Sequence, residues 1–402
     1  MNGYSLSHDL NGGPKCITII TVLQLSNWNY STMLKYLKIL MVVLSVAATG
    51  FICRTALEQK TTEIMEFLLS NVRISGSVTI DIFTVQKKCI LSLKNNGNIS
   101  SAPENVTSVK LPNVVLSQGN GILLMETTDR MQPPSLVLCA IESAARVYPD
   151  RPVVYFMKGL GDINTEEDEI RTRKQFPTLA SFANVYFFPL RMEELFTDTP
   201  FLPWFKKVNP KKERYWTHVS SDACRFALIW KYGGIYMDTD VISIRPIPKD
   251  NFVAAENFDI TSSSVFGLSA CNNVTWEFME NFVQNYRGSK WGHQGPGVFT
   301  RVMKKMCGIP AFTSTYDVMC ANISYLRPER FYPILYQSWE KYFEVWNYLP
   351  TFPNSYALHL WNYMNSEGKT MVPGSNTLVE HIYQQHCPST YGAVLRNERT
   401  QL

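Results

Sequence analysis

"YGGIYMDTDVI" (residues 232–242) sets two glycines and two carboxylates into eleven positions. Its apolar run, Ile235, Tyr236 and Met237, leads into Asp238, Thr239 and Asp240, and Val241 and Ile242 resume it. Read as one extended segment, alternation places Asp238 and Asp240 on one side of the chain and Thr239 on the other. Two carboxylates that close repel each other, and neither sits easily in an apolar strand unless a cation joins them. A hard divalent ion, Mg²⁺ or Mn²⁺, fits that role and keeps positions open for a substrate phosphate.

Upstream, "SSDACRFALIWKY" (220–232) reads as a helix, with serines and an aspartate suited to N-capping and Gly233-Gly234 as its stop. Strands are expected at 121–127, 152–157 and 184–190, with a helix at 135–147 between the first two. Strand, helix, strand in that order predicts an α/β fold with a mostly parallel sheet and covering helices. Later helices are expected at 274–286, 297–307 and 376–386. Open α/β sheets bind ligands outside the carboxyl ends of their strands, and Asp238 and Asp240 lie at such an end. There is no G-x-G-x-x-G and no P-loop, so a nucleoside diphosphate carrying the reacting group on its far side is a better expectation than a dinucleotide or ATP.

The 402 residues are 45% hydrophobic and 18% charged, enough to bury a substantial core. A net charge of +4, with no basic tail or stripe, argues against nucleic acid. Residues 39–53 carry no charge and are flanked by Lys35 and Lys38 on one side and Arg54 on the other. The lysines favour a cytoplasmic amino end, so a tail over 1–36 and a signal anchor over 37–54 are expected, with everything beyond translocated. A cleaved signal peptide and a buried helix are the alternatives. Residues 55–118 read as a polar stem. Four glycosylation sequons follow the anchor, at Asn98, Asn105, Asn273 and Asn322. Seven of the nine cysteines also lie beyond it, as suits an oxidising compartment. Cys307 and Cys320 close a short loop and are the preferred disulfide, with Cys139 and Cys387 a second candidate.

The run "SDACRFALIWKYGGIYMDTDVISIRPIP" resembles the DXD glycosyltransferases of family 32, which make α-1,4 linkages. The likeness extends over about 121–390 through "FMKGL", "DTP", "WGHQGP", "RFYPI", "YALHLWN" and "GSNTLVE". It implies a GT-A fold, Rossmann-like with a mixed, mostly parallel sheet, behind a transmembrane helix and a stem. It also implies a nucleotide-sugar region over 119–270 and an acceptor region over 271–395 of the same catalytic domain. A Golgi membrane location with a luminal catalytic domain follows from the same likeness.

The activity implied is retaining transfer of N-acetylglucosamine from UDP-GlcNAc, in α-1,4 linkage, to terminal β-galactose of mucin-type O-glycans, with Mn²⁺ as cofactor. Transfer of galactose from UDP-Gal to lactosylceramide is the alternative, and a silent glycan-binding relative is a third reading. The resemblance assigns Asp240 to the metal, Asp238 to metal and ribose, and His359 to the distal ligand position, although a histidine satisfied within an aromatic cluster explains the last too. Asp222 and Arg225, three apart on one helical face, fall to the donor sugar, although a plain salt pair explains them too. Glu126 and Thr127 fall to the uracil by position, with a capping role open. Gln294 would stand on the β-face of the sugar as a stabilising dipole, and Lys369 would contact the diphosphate unless it is a surface lysine. Ser263-Ser264 departs from the Asn-Gly that relatives tend to carry before the strand near 265, which leaves the donor sugar open.

Overall fold

Alternation along one strand divides the core in two. In strand β1 (Ile122–Glu126), Ile122 and Leu124 pack on one face of the sheet with helix α1 (Ser135–Val147). Leu123 and Met125 face the opposite way, towards helix α3 (Trp216–Tyr232). Each such side chain, fully buried, contributes about 1.5–3 kcal/mol of transfer free energy. A sheet buried on both faces is what the apolar runs require. The computed structural model describes residues 110–308 and 316–396, with Gln86 and Cys89. The tail at 1–36, the anchor at 37–54, most of the stem, and sequons Asn98 and Asn105 lie outside the described residues. Among the described residues no helix is long and apolar enough to cross a membrane.

The main sheet has eight strands in the order β3-β2-β1-β4-β7-β6-β9-β8. These are β1, β2 (Val153–Met157), β3 (Val185–Pro189), β4 (Gly234–Met237), β6 (Phe252–Ala255), β7 (Thr261–Leu268), β8 (Val318–Cys320) and β9 (Ile323–Leu326). Strands β3, β2, β1 and β4 run parallel, as do β6 and β9, while β7 is antiparallel to β4 and β6. The expected mixed, mostly parallel sheet is therefore present. The chain leaves β1 towards β2 and β3 and returns on its other side as β4. That reversal opens a crevice at the carboxyl ends of β1 and β4.

Helix α2 (Glu166–Lys174) covers the β3 edge, behind a capping box between Thr165 and Asp168. Helices α4 (Asn273–Gln284) and α5 (Pro296–Cys307) pack with α3, and α6 (Leu378–His386) and α7 (Pro388–Leu395) close the α1 side.

Two sequence expectations need correction. The segment around Asp238 and Asp240 is not one extended strand: β4 ends at Met237, and residues 238–240 form a turn closed by Val241 N–H donating to Asp238 O at 3.2 Å. The chain then enters β5 (Val241–Ser243), which pairs with β10 (Ala357–His359) in a separate antiparallel ribbon. Half-buried carboxylates are better accommodated at such a turn, where ligands and amides can reach them, than inside a ladder. Helix α3 also begins at Trp216, a turn before Ser220, so Ser220, Ser221 and Asp222 lie inside it rather than at its cap.

Gly233 and Gly234 do more than stop the helix. Both have positive φ, and a Cβ would meet Ala270 N at 2.6 Å and Gly121 O at 2.3 Å respectively. They let β4 lie flush against its neighbours, immediately before the acidic turn.

Cys307–Cys320 and Cys139–Cys387 are bonded as anticipated, and Cys89–Cys271 is a third bridge that the sequence did not suggest. Cys224 is free and buried. Asn273 opens α4 behind the Asn272 cap, and Asn322 sits exposed with φ 64° in the turn between β8 and β9.

Candidate active site

The β5–β10 ribbon explains how residues more than a hundred positions apart meet. Its register sets His359 opposite Val241, one residue beyond Asp240. Leu360 N–H donates to Asp240 O at 2.9 Å, and Asn362 N–H donates to Asp240 Oδ2, also at 2.9 Å. This leaves Oδ1 facing His359 Nε2 at 3.4 Å. Trp361 N–H donates to His359 Nδ1 at 3.2 Å, and the Tyr332 and Trp361 rings, themselves in contact, both pack against the imidazole. One ligand atom each from Asp238, Asp240 and His359 lies within 4.8 Å of the others. Two carboxylates and an imidazole at that spacing fit a divalent cation.

Asp238 is held from behind. Tyr236 OH donates to its Oδ1 at 2.6 Å, and Arg225 Nη1 lies 3.2 Å from the same oxygen. Arg225 also donates to Ser263 O at 2.7 Å, to Ser263 Oγ at 3.2 Å and to Ser221 Oγ at 3.0 Å. Its guanidinium lies over the Tyr236 ring, 4.8 Å from the centroid. Burial alone would lower its pKa, but Asp238, Tyr236 and Asp222 together hold it well above the ordinary arginine value. Asp222 lies 3.4 Å from Arg225 Nε, as the three-residue spacing implied. Burial pushes its carboxyl up to about 7, against the pull of Arg225. Gly295 fits against this carboxylate, since a Cβ there would come within 2.3 Å of Asp222 Oδ1.

The remaining predicted residues divide. Glu126 and Thr127 stand at the carboxyl end of β1, at the mouth of the crevice. The Glu126 carboxylate is occupied by its own loop, accepting from Thr128 N–H at 2.9 Å and Thr128 Oγ1 at 2.8 Å. Thr127 Oγ1 reaches Thr217 O, on the first turn of α3, at 3.5 Å. Gln294 is not a free dipole: its Nε2 donates to Phe282 O at 2.8 Å and its Oε1 accepts from Arg287 N–H at 3.0 Å, with the side chain fully buried. It ties the end of α4 to the following loop. Lys369 Nζ pairs with Glu367 at 3.1 Å and lies over the Trp339 ring, while its backbone is tied to Asn365.

Sequence reasoning missed Tyr236, Ser221, Ser263 as an arginine acceptor, and Asn362. Tyr236 was within reach, because it lies two residues before Asp238 and therefore on the same side of the strand. Asn362 contributes only its backbone amide, which leaves no mark in a sequence.

Residues 268–394 match the family described as "Alpha 1,4-glycosyltransferase conserved region", and residues 134–259 match "Glycosyltransferase sugar-binding region containing DXD motif". The chain is 51% identical over 282 residues to the Alpha-1,4-N-acetylglucosaminyltransferase of Homo sapiens, covering 70% of this chain and 83% of that protein. It is 36% identical over 309 residues to the Lactosylceramide 4-alpha-galactosyltransferase of Gorilla gorilla gorilla, covering 75% and 93%. With the mouse enzyme of the same name it shares 35% over 298 residues, covering 73% and 81%.

Proposed function

This chain belongs to the DXD-containing α-1,4-glycosyltransferases, and from that premise we propose that it transfers N-acetylglucosamine from UDP-GlcNAc to terminal β-galactose on O-linked glycans. The observation that carries the chemistry is the convergence of Asp238, Asp240 and His359 at the crevice beside β1 and β4. Mn²⁺ is the cation we assign to these three residues, and when bound it supplies a Lewis acid for the charge that develops on the departing diphosphate. Asp240 contributes one carboxylate oxygen and keeps its other on the Asn362 amide, which fixes its orientation. Arg225 and Tyr236 orient Asp238. Asp222 and Ser263, both in contact with Arg225, are the polar groups placed to receive donor-sugar hydroxyls.

An α-linked donor and an α-linked product mean retention of configuration. A front-face course, in which the leaving phosphate takes the acceptor hydroxyl's proton, asks for no protein nucleophile. It is compatible with a Gln294 amide committed to backbone groups. The choice of N-acetylglucosamine over galactose rests on the 51% relative. We also propose that residues 37–54 anchor the chain in a Golgi membrane with the catalytic domain in the lumen, a reading supported by the three disulfides.

The test is incubation of the full-length chain and Mn²⁺ with UDP-GlcNAc or UDP-Gal, offering a β-galactose-terminated O-glycan or lactosylceramide. The expected product is α-1,4-linked N-acetylglucosamine on the O-glycan. Galactose on lactosylceramide would move the chain to the alternative donor. Glycan binding without any transfer would overturn the reading.

A further inference from the structure

Two exposed aromatic rings stand face to face beside the crevice. Trp291 and Tyr363 stack with centroids 3.8 Å apart and planes 11° from parallel, at 43% and 54% exposure. His218, on the first turn of α3, meets both rings edge-on at 4.5 and 5.1 Å, which places it along the side of the stack. Tyr215 approaches Trp291 at 5.4 Å. Among the described residues no ring or cation covers the other face of Tyr363.

Both segments carrying the stack are anchored to carboxylates of the site. Tyr363 follows Asn362, whose amide holds Asp240 Oδ2. Trp291 lies four residues before Gly295, which abuts the Asp222 carboxylate. The backbone on the Tyr363 side is further constrained, because Trp361 holds φ 55° while its Nε1 donates to Ile334 O at 2.8 Å. A strained, tied turn that ends in an outward aromatic ring presents that ring rather than burying it.

We propose that the open face of Tyr363, backed by Trp291, is the platform on which the acceptor's terminal pyranose stacks. The proposal rests on the transferase reading above. A hexopyranoside with several axial C–H bonds on one face, as in a β-galactoside, lays an apolar surface against an aromatic ring while its hydroxyls stay at the rim. Tyr363 is then a positioning residue: it orients the acceptor hydroxyl towards the crevice and does not touch the leaving group. The pair would select for the shape of the acceptor, independently of the donor.

The full-length chain tests this by two routes. Tyr363→Ala is expected to raise the acceptor KM by about tenfold, with kcat and the UDP-sugar KM held within about twofold, and Tyr363→Phe to restore the acceptor KM. Saturation-transfer NMR with methyl β-galactopyranoside and no donor is expected to mark the C–H protons of one sugar face in the wild type and in Tyr363→Phe, but not in Tyr363→Ala. Unchanged acceptor KM and saturation pattern in Tyr363→Ala would overturn the proposal. So would a rise in the UDP-sugar KM alone, which would put the nucleotide base on the ring. If the wild type transferred no sugar at all, the functional reading would fall, and the NMR arm would still decide what the ring binds.

Discussion

Arg225 sits where the charges of the site are balanced. Its guanidinium touches Asp222, Asp238 and Ser263 and lies over Tyr236, so one buried cation serves two buried or half-buried acids. The two acids do not share it equally. Asp238 also receives the Tyr236 hydroxyl, whereas Asp222 is dominated by desolvation and rises to about 7. A raised folded-state pKa favours the protonated carboxyl, so its contribution to stability is complete below the unfolded value of 3.8 and is lost as pH climbs to about 7. Asp222→Asn removes that loss. The stability of the variant relative to wild type should therefore climb from pH 4 to about 7, by at most about 1.4 kcal/mol per pH unit, and level off above. Denaturant unfolding across that pH range reads the slope directly. A flat difference would mean that Arg225 keeps Asp222 ionised throughout.

Elements whose apolar pattern is repeated locally were legible, and those defined by partners far along the chain were not. Helix α1 spans the expected 135–147, and β1, β2 and β3 each fall within a residue or two of their expected ends, because buried runs and turn residues mark them. The β5–β10 ribbon and the β8–β9 hairpin are three or four residues a strand, too short to show a period. The start of α3 was misplaced for a different reason: Ser221 and Asp222 look like caps but are interior residues that contact Arg225.

Helix α7 was missed as well, and its stability comes from elsewhere. Glu142, fully buried on α1, accepts from Ser389 N–H, Thr390 N–H and Thr390 Oγ1 at 2.8–2.9 Å and from Arg146 Nε at 2.9 Å. The carboxylate occupies the N-terminus of α7, where the helix dipole favours negative charge, next to the Cys139–Cys387 bridge. Glu142→Ala strands two buried donors, Thr390 N–H and Oγ1, and the half-buried Ser389 N–H, and should cost about 3 kcal/mol or more in a denaturant titration. Glu142→Gln, which keeps an acceptor, should cost less. A loss under about 1 kcal/mol for Glu142→Ala would show that the disulfide alone holds the helix.

At the scale of the whole chain, the cation site is a junction. Asp238 and Asp240 come from the turn that follows β4, the strand that completes the parallel half of the sheet, and His359 comes from a ribbon reached only after β6 to β9 and their helices are in place. The acid pair could be read from a single stretch of sequence. Its distal ligand could not, since nothing local to "YALHLWN" says which strand it will pair with, and only the family resemblance pointed there. A ligand that binds across such a junction, and does not bind the unfolded chain, stabilises the entire fold by mass action. Mn²⁺ at about a hundred times its dissociation constant should add about 2.7 kcal/mol. The unfolding midpoint should rise with Mn²⁺ concentration in the wild type and stay flat in Asp240→Asn, which can still accept from the Asn362 amide and so should remain folded. His359→Ala should fall between the two, because the acid pair survives without its third ligand. Equal Mn²⁺ responses in wild type and both variants would mean that the cation binds elsewhere, and the three side chains would then be neighbours without a shared ligand.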